Sequence, residues 1–562
     1  MKSLLGWALT ASILLVVVAL PLFFAVDAAF YEETKFGLSD IRSFQAILDV
    51  YSGADYLGYL GITLVISALV TSLSMAFGVT VALIIGRSDF PFKKTVDVLI
   101  LLPLFLSPFT GLMAWILLGS EKTGLLNIAI RDFAAFLGFN IGPLINVWSI
   151  AGVIWVLFLF FAPLAYLFTL GSLTRMDASL EESARTAGAS LRTVIFKITL
   201  PICAPALFAA GLLIFILAAE VYTIPGIIGS TAGFTTLPWQ IFLDSSQVPV
   251  HRAHAAAGGT LLILVTTVGL WFQHRLTRVS SRYVSVSGKT YRSQPIQLGK
   301  LIWPAGVLIF LYVLTADILP FFALLMSSLM RFSALHLTPE LFTFAHYINF
   351  FSMADMMTAL RNTALLAVLS GVVCVLLGTG ISLSELRSGA RRWRILSFLA
   401  TIPVAVPGIV FAIGLLWAYA SMPIYGTIWV LLLAYVAKFL PYSVTISRAS
   451  ILQIHPDLES AARICGASAV RARTAITLPL LKATLMSIFI FVALMSIREL
   501  SASILLYAPG SQVLSVLTWV HVEGGDYQFA AAVGVIQTSL LIGLLVGTRA
   551  VFKLDLIKSV GS

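Results

Sequence analysis

Apolar stretches of bilayer length recur along this chain, and no other feature of the sequence constrains its fold as strongly. A hydrocarbon core of about 30 Å takes roughly 20 helical residues to cross. Windows of that size without regular charge fall at 4–29, 58–86, 96–119, 146–171, 203–227, 253–273, 301–329, 361–385, 395–420, 427–447, 484–507 and 529–551. Their apolar runs are continuous rather than alternating, which excludes a β-barrel. With 59% apolar and 11% charged residues, and a mean hydropathy of +1.00, the chain lacks the polar side chains to cover a soluble globule. The expected fold class is an all-α polytopic membrane protein with about twelve transmembrane helices. The first window follows Lys2 as a signal peptide would. Its apolar run is too long for a signal h-region, and no cleavage site stands out near Ala28 and Ala29, so it reads as a retained helix.

The basic residues orient the helices, because short cytoplasmic loops retain Lys and Arg. Placing the N-terminus inside puts 26 of the 35 Lys and Arg on the cytoplasmic side, among them Arg87, Lys93, Lys94, Arg387, Arg391, Arg392 and Arg394. Only Lys35, Arg42, Lys122, Arg131, Arg252, Arg331 and Arg361 fall outside. Both termini are then cytoplasmic. The net charge of +10 is a topology signal and an attraction to anionic lipid head groups rather than a nucleic-acid footprint. Cys203, Cys374 and Cys465 have neither the number nor the spacing of a disulfide framework or a metal cluster.

The chain is also duplicated. Sliding it by 300 residues superposes Thr63 on Thr363, Gly78 on Gly378, Arg87 on Arg387 and Pro103 on Pro403. Sliding by 278 superposes Pro163 on Pro441, and 180–201 on 458–479 with 11 identities in 22 positions, where chance gives about one or two. The change of offset locates an insertion, 120–144, against only 421–426 in the second half. Six helices per half is an even number, so both halves enter the membrane in the same direction. They are expected as parallel repeats about an axis along the membrane normal, with 1–272 and 301–562 as the halves and 273–300 as a cytoplasmic linker.

The duplicated string, LEESARTAGASLRTVIFKITLP in its first copy, is polar and lies between apolar windows. Ser179 with Glu182 three residues later makes a capping box, and Asp457 after Pro456 offers an N-cap in the second copy. Gly188 and Gly466 are placed to stop a two-turn helix in left-handed geometry. Ser190 and Ser468 can cap the helix that follows, and Pro201 and Pro479 suit a helix start or bend. A single copy could be a well-capped loop. Two copies related by pseudo-symmetry suit a partner that is itself a two-fold dimer.

These residues resemble the "EAA" signature of the membrane subunits of binding-protein-dependent ABC importers. The match is Glu182-Ser183-Ala184, Gly188, Ile198, Leu200 and Pro201, and again Ser460-Ala461-Ala462, Gly466, Ile476, Leu478 and Pro479. The second copy departs at Ser460, with the acid one place earlier at Glu459, matching Glu181. The resemblance implies that each motif (Glu181, Glu182, Ala184, Gly188; Glu459, Ser460, Ala462, Gly466) forms a coupling helix seated on an ATPase subunit. Two copies of a cytoplasmic ABC ATPase and one periplasmic substrate-binding protein would be the partners. ATP and Mg would be held by the ATPase, with no cofactor bound by this chain. The fused, double-length form is most similar to the ferric-iron, thiamine and aminoethylphosphonate branch, and the stretch 498–519, RELSASILLYAPGSQVLSVLTW, to its ferric-iron type.

Membrane-embedded charges are functional candidates, because they cost a few kcal/mol or more unless they face a partner or a wet cavity. Glu220 and Glu499 fall in equivalent fifth helices, with Arg498 able to neutralise one of them. Two carboxylates lining a passage would suit a hard cation such as Fe(III), whereas phosphonates or phosphate esters would want Arg-rich sites. Away from the ends of these windows only Arg498 and Lys438 are basic. A twelve-helix secondary transporter is the alternative class, its usual basic loop echoed only by Gly86, Arg87, Asp89, Lys93 and Lys94. SGKT at 287–290 fails as a P-loop, because Tyr283 occupies the position of the required Gly. His251 and His254 share a helical face, but without a carboxylate pair they read as helix-end polar residues.

Overall fold

A computed structural model describes residues 2–34, 37–176, 179–280, 296–332 and 338–552. Among the described residues nine helices are long and apolar enough to cross a membrane, or twelve if three bent pairs each count as one span. Two of the bent pairs break inside the expected spans 96–119 and 395–420, and the third breaks just ahead of 484–507. Lys93–Leu104 meets Pro108–Gly119 at 95°, Arg391–Ala405 meets Gly408–Tyr419 at 113°, and Ala469–Leu480 meets Lys482–Ile497 at 68°. Proline explains the first two. Pro103 and Pro403 sit in 3-10 turns, and the residues ahead of Pro108 and Pro407 are pushed into extended backbone, with ψ of 128° at Ser107 and 119° at Val406.

Proline also accounts for a feature repeated four times. Leu15–Ala19, Ile195–Thr199, Leu314–Ile318 and Arg473–Thr477 are single π-turns. Each runs directly into a segment whose second residue is Pro21, Pro201, Pro320 or Pro479. A proline ring clashes with the carbonyl four residues back and offers no N–H to it; widening that turn relieves the clash without ending the helix.

The duplication is visible bond by bond. Thr63 Oγ1 accepts from the Leu237 amide at 2.9 Å, and Thr363 Oγ1 from the Leu514 amide at 3.0 Å. Gly78 and Gly378 lie where helices cross closely. A Cβ on Gly78 would sit 2.5 Å from the Tyr166 amide nitrogen, and one on Gly378 would sit 2.2 Å from Ser443 Oγ.

The chain forms two compact units, and these interleave the linear halves. One gathers Met1–Gly53, Ile241–Ile263 and Phe344–Ser559; the other is built mainly from Ala54–Gln240 and Leu264–Thr343. In the first unit the leading helix, Gly6–Phe30, packs on second-half residues. Trp7 Nε1 donates to the Arg392 carbonyl at 3.2 Å, and the Tyr419 hydroxyl to the Val16 carbonyl at 2.6 Å. In the other unit the leading helix of the second half, Gly299–Ser328, packs on first-half residues. There the Tyr312 hydroxyl donates to the Leu159 carbonyl at 2.8 Å, and its ring lies 4.4 Å from that of Phe77. Each half therefore lends its first helix to the unit built mainly from the other.

The insertion at 120–144 is ordered. Its helix Leu125–Phe136 is fixed by the buried Asn127 side chain, which donates to the Ser120 and Ile145 carbonyls at 3.0 and 2.7 Å. The same side chain accepts from the Leu144 and Ile145 amides at 3.1 and 3.0 Å. Phe133, Phe136 and Phe139 are left exposed on it.

Candidate functional site

The duplicated polar string folds as the sequence suggests: Ser179–Thr186 and Asp457–Ile464 are two-turn helices. Gly188 and Gly466 end them at φ of +86° and +91°. In the first copy the Gly188 amide donates to the Arg185 carbonyl, and the Ala189 amide to the Ala184 carbonyl, both at 3.0 Å. In the second, Gly466 donates to Arg463 and Ala467 to Ala462, again at 3.0 Å. This is the paired 5→2 and 6→1 closure of a Schellman motif, so Ala184 and Ala462 serve the turn through their backbones. Ser190 Oγ then accepts from the Thr193 amide at 3.3 Å, and Ser468 Oγ from the Arg471 amide at 3.2 Å, starting the next helix in each copy. One expectation is corrected. Pro456, not Asp457, is the N-cap of the second copy, and it makes no side-chain cap bond. Asp457 is the first helical residue, where its charge still complements the helix dipole. Residues 177 and 178, just ahead of the first copy, lie outside the described residues.

Each segment is held down by a charge cluster largely shielded from solvent, built alike in both copies. Glu181 pairs with Arg87 at 3.4 Å and accepts from the Thr199 hydroxyl at 2.7 Å. Glu459 pairs with Arg387 at 3.1 Å and accepts from the Thr477 hydroxyl at 2.6 Å. The side chains of Arg87 and Glu181 are 10% and 8% exposed, so solvent screens the pair little. Each arginine spends another donor on a backbone carbonyl, Leu173 at 2.9 Å and Ile454 at 3.1 Å. The cluster thus joins the end of one membrane helix, the short helix and the start of the next.

This geometry separates the two acids that the sequence left equivalent. Glu181 and Glu459 point inward and position the segment. Glu182 shares a shallow open depression with Ser179, Ser183, Thr186 and Ala187, and its counterpart Ser460 is exposed. Arg87, Arg387, Thr199 and Thr477 were missed as site residues. Their signal was present, because the offset of 300 pairs the arginines while that of 278 pairs the acids and the threonines.

The membrane charges are placed differently from the expectation. Glu220 is the last residue of Leu200–Glu220, and Glu499 lies in the turn after Lys482–Ile497, so both mark helix ends rather than helix interiors. Glu499 is buried and is not a free carboxylate. Lys438, in the middle of Ile428–Leu452, donates to both of its oxygens at 2.9 and 2.8 Å, and the Ala502 amide donates to Oε1 at 3.1 Å. Lys438, which the sequence marked only as basic, therefore neutralises Glu499, and Arg498 caps the helix end beside it. Glu220 has polar contacts of its own and belongs to the other compact unit. SGKT at 287–290 and most of the linker lie outside the described residues.

Fold and site together define an internally duplicated, multi-pass membrane protein with one clamped polar helix per repeat. Residues 75–280 and 375–554 both match the family of binding-protein-dependent transport system inner membrane components, and the chain belongs to that family. Among its relatives is the ferric transport system permease protein FbpB of Actinobacillus pleuropneumoniae, 24% identical over 86% of this chain and 69% of that protein. A putative ferric transport system permease protein, FbpB 1 of Haemophilus influenzae, is 24% identical over 81% of this chain and 71% of its own length. The putative 2-aminoethylphosphonate transport system permease protein PhnV of Salmonella typhimurium is 26% identical, over 45% of this chain and 98% of its own length. The crystal structure of a bacterial alginate ABC transporter with an alginate pentasaccharide-bound periplasmic protein is 18% identical, at a TM-score of 0.37, over 45% of this chain and 94% of that one.

Proposed function

We propose that this chain is the transmembrane pathway of an ATP-driven importer that moves ferric iron, delivered by a periplasmic binding protein, into the cytoplasm. The observation that carries the substrate is coverage. Relatives named for ferric transport align across 86% and 81% of the chain, through both halves. The relative named for 2-aminoethylphosphonate aligns with 45% of it, the extent of one half. The Lys438–Glu499 pair leaves no unpaired carboxylate at that position to attract a cation, so the iron reading rests on the relatives rather than on membrane acids.

On this reading the two clamped helices are the coupling elements, each seated on one of two ATPase subunits. ATP and Mg belong to those subunits, and this chain turns over no nucleotide. The distribution of Lys and Arg supports placing these helices and both termini in the cytoplasm. The insertion at 120–144 then faces the binding protein.

Reconstitution of the chain with its ATPase and binding protein in proteoliposomes tests the proposal. ATP-dependent accumulation of labelled Fe(III), requiring the binding protein on the opposite face from ATP, is the expected result. Uptake of 2-aminoethylphosphonate or thiamine without iron would reassign the substrate. Iron uptake driven by an ion gradient without ATP would overturn the class of mechanism.

A further inference from the structure

The first compact unit gathers a cluster that the sequence could not assemble. Glu33 lies on the strand Tyr31–Thr34 (β1), paired antiparallel with Gly37–Arg42 (β2). His251 and His254 stand at the start of the helix Arg252–Ser280. Glu33 Oε1 is 3.5 Å from His251 Nδ1, and Glu33 Oε2 is 2.5 Å from His254 Nδ1. One ligand atom from each of the three residues lies within 4.8 Å of the others. Glu33 Oε1 is buried without a hydrogen bond, whereas His251 is about half exposed, so the cluster opens to solvent on one side.

We propose that Glu33, His251 and His254 form a binding site for a divalent transition-metal ion of the zinc class. Three lines of chemistry agree. Two imidazole nitrogens and one carboxylate are the donor set of borderline divalent ions, whereas a hard ferric ion favours an oxygen-only shell. Four ligands about 2.0–2.1 Å from a tetrahedral ion stand roughly 3.4 Å apart. The two histidines face different oxygens of the Glu33 carboxylate, at 3.5 and 2.5 Å, so a shift of about 1 Å, within side-chain freedom, brings one atom from each residue to that spacing, the ion replacing the proton held between Glu33 and His254. Finally, the far nitrogen of His254 is already oriented: its Nε2 faces Asp49 Oδ2 at 3.4 Å, and Asp49 Oδ1 accepts from Gln45 Nε2 at 2.8 Å. A carboxylate behind a ligating histidine fixes its tautomer and raises its basicity.

Position gives the site a consequence. Trp7, at one end of the leading helix, bonds the backbone of Arg392, on the side where Arg387 clamps its short helix. Glu33 follows the other end of that same helix, so the site lies across the membrane from the clamp. A bound ion would tie the β1–β2 hairpin to the start of Arg252–Ser280, bracing that face of the unit.

Zinc titration of the purified chain in nanodiscs, without a polyhistidine tag, tests the site by calorimetry, with Co(II) absorption as a second readout. One equivalent of Zn(II) and the visible bands of low-coordinate Co(II) are expected. His251→Ala removes one ligand but keeps the Glu33–His254 contact, so the variant folds and binds at least about tenfold more weakly. His251→Ala/His254→Ala abolishes the stoichiometric event. Absence of zinc binding by the unmodified chain, or an undiminished equivalent in the double variant, overturns the proposal. Neither readout involves iron uptake or the ATPase, so this inference and the transport reading fail separately.

Discussion

Replacing Glu181 with Gln tests the division of labour between the two neighbouring acids. Gln keeps the shape of the side chain and an acceptor for the Thr199 hydroxyl at 2.7 Å, but it leaves Arg87 with a buried and unpaired charge. Breaking a buried pair at one partner costs about 3–5 kcal/mol. Arg87 retains its bond to the Leu173 carbonyl, and we therefore take about 2 kcal/mol as the weakening of the short helix against its support. At 1.4 kcal/mol per tenfold, local opening should become about 30 times more frequent. Hydrogen–deuterium exchange by mass spectrometry in nanodiscs reads this directly, because exchange of the amides in 179–189 follows local opening. Glu181→Gln should speed that peptide about 30-fold, Glu182→Gln should leave it unchanged, and Arg87→Gln/Glu181→Gln should recover much of the protection. Equal effects from Glu181→Gln and Glu182→Gln, or no effect from the former, would refute the inward role of Glu181.

Three further outcomes are expected. Gly188→Val with Gly466→Val places side chains in left-handed backbone, at about 1 kcal/mol each, in a space that is otherwise open; the variant should reach the membrane yet fail to co-purify with the ATPase. Lys438→Met alone should lower thermal stability by about 3–5 kcal/mol by stranding Glu499, and Lys438→Met/Glu499→Leu should restore most of it; a double variant as unstable as the single one would show that the pair is not what holds that turn. A photo-crosslinker at Phe136, 85% exposed on the inserted helix, should capture the binding protein during transport, and its failure at every exposed position of 120–144 would remove the insertion from the landing surface.

Much of the architecture was legible because duplication writes the same physics twice. The offsets of 278 and 300 residues identified both polar helices, their terminating glycines and the paired Thr63 and Thr363. What escaped was contact between distant segments of unlike composition. Nothing in the neighbourhood of His251 and His254 announces Glu33, 221 residues from His254 in the chain, or the carboxylate of Asp49. Lys438 and Glu499 are 61 residues apart on separate helices, while Arg498 is adjacent in sequence and drew the assignment for that reason. The bends at Pro103 and Pro403 were also obscured, because a hydropathy window counts apolar residues and is indifferent to the direction of the helix carrying them.

The exchanged leading helices impose a waiting time on biosynthesis. Val16 and Tyr419, joined by a hydrogen bond in the finished protein, are 403 residues apart. At about 5–20 residues per second of synthesis, the first helix spends roughly 20–80 s in lipid before its partner exists. Its composition suits that interval. Gly6–Phe30 is apolar along nearly its whole length and carries no charge before Asp27, so it can persist alone in the bilayer. The second half's leading helix waits for nothing, since Leu159, its partner, has already been made when Tyr312 is inserted. A ribosome that stops before residue 408 therefore leaves one orphaned helix beside an otherwise supplied unit, a lesion that membrane proteases could recognise. Severing the chain between the halves would leave each fragment holding a helix that only the other can bury.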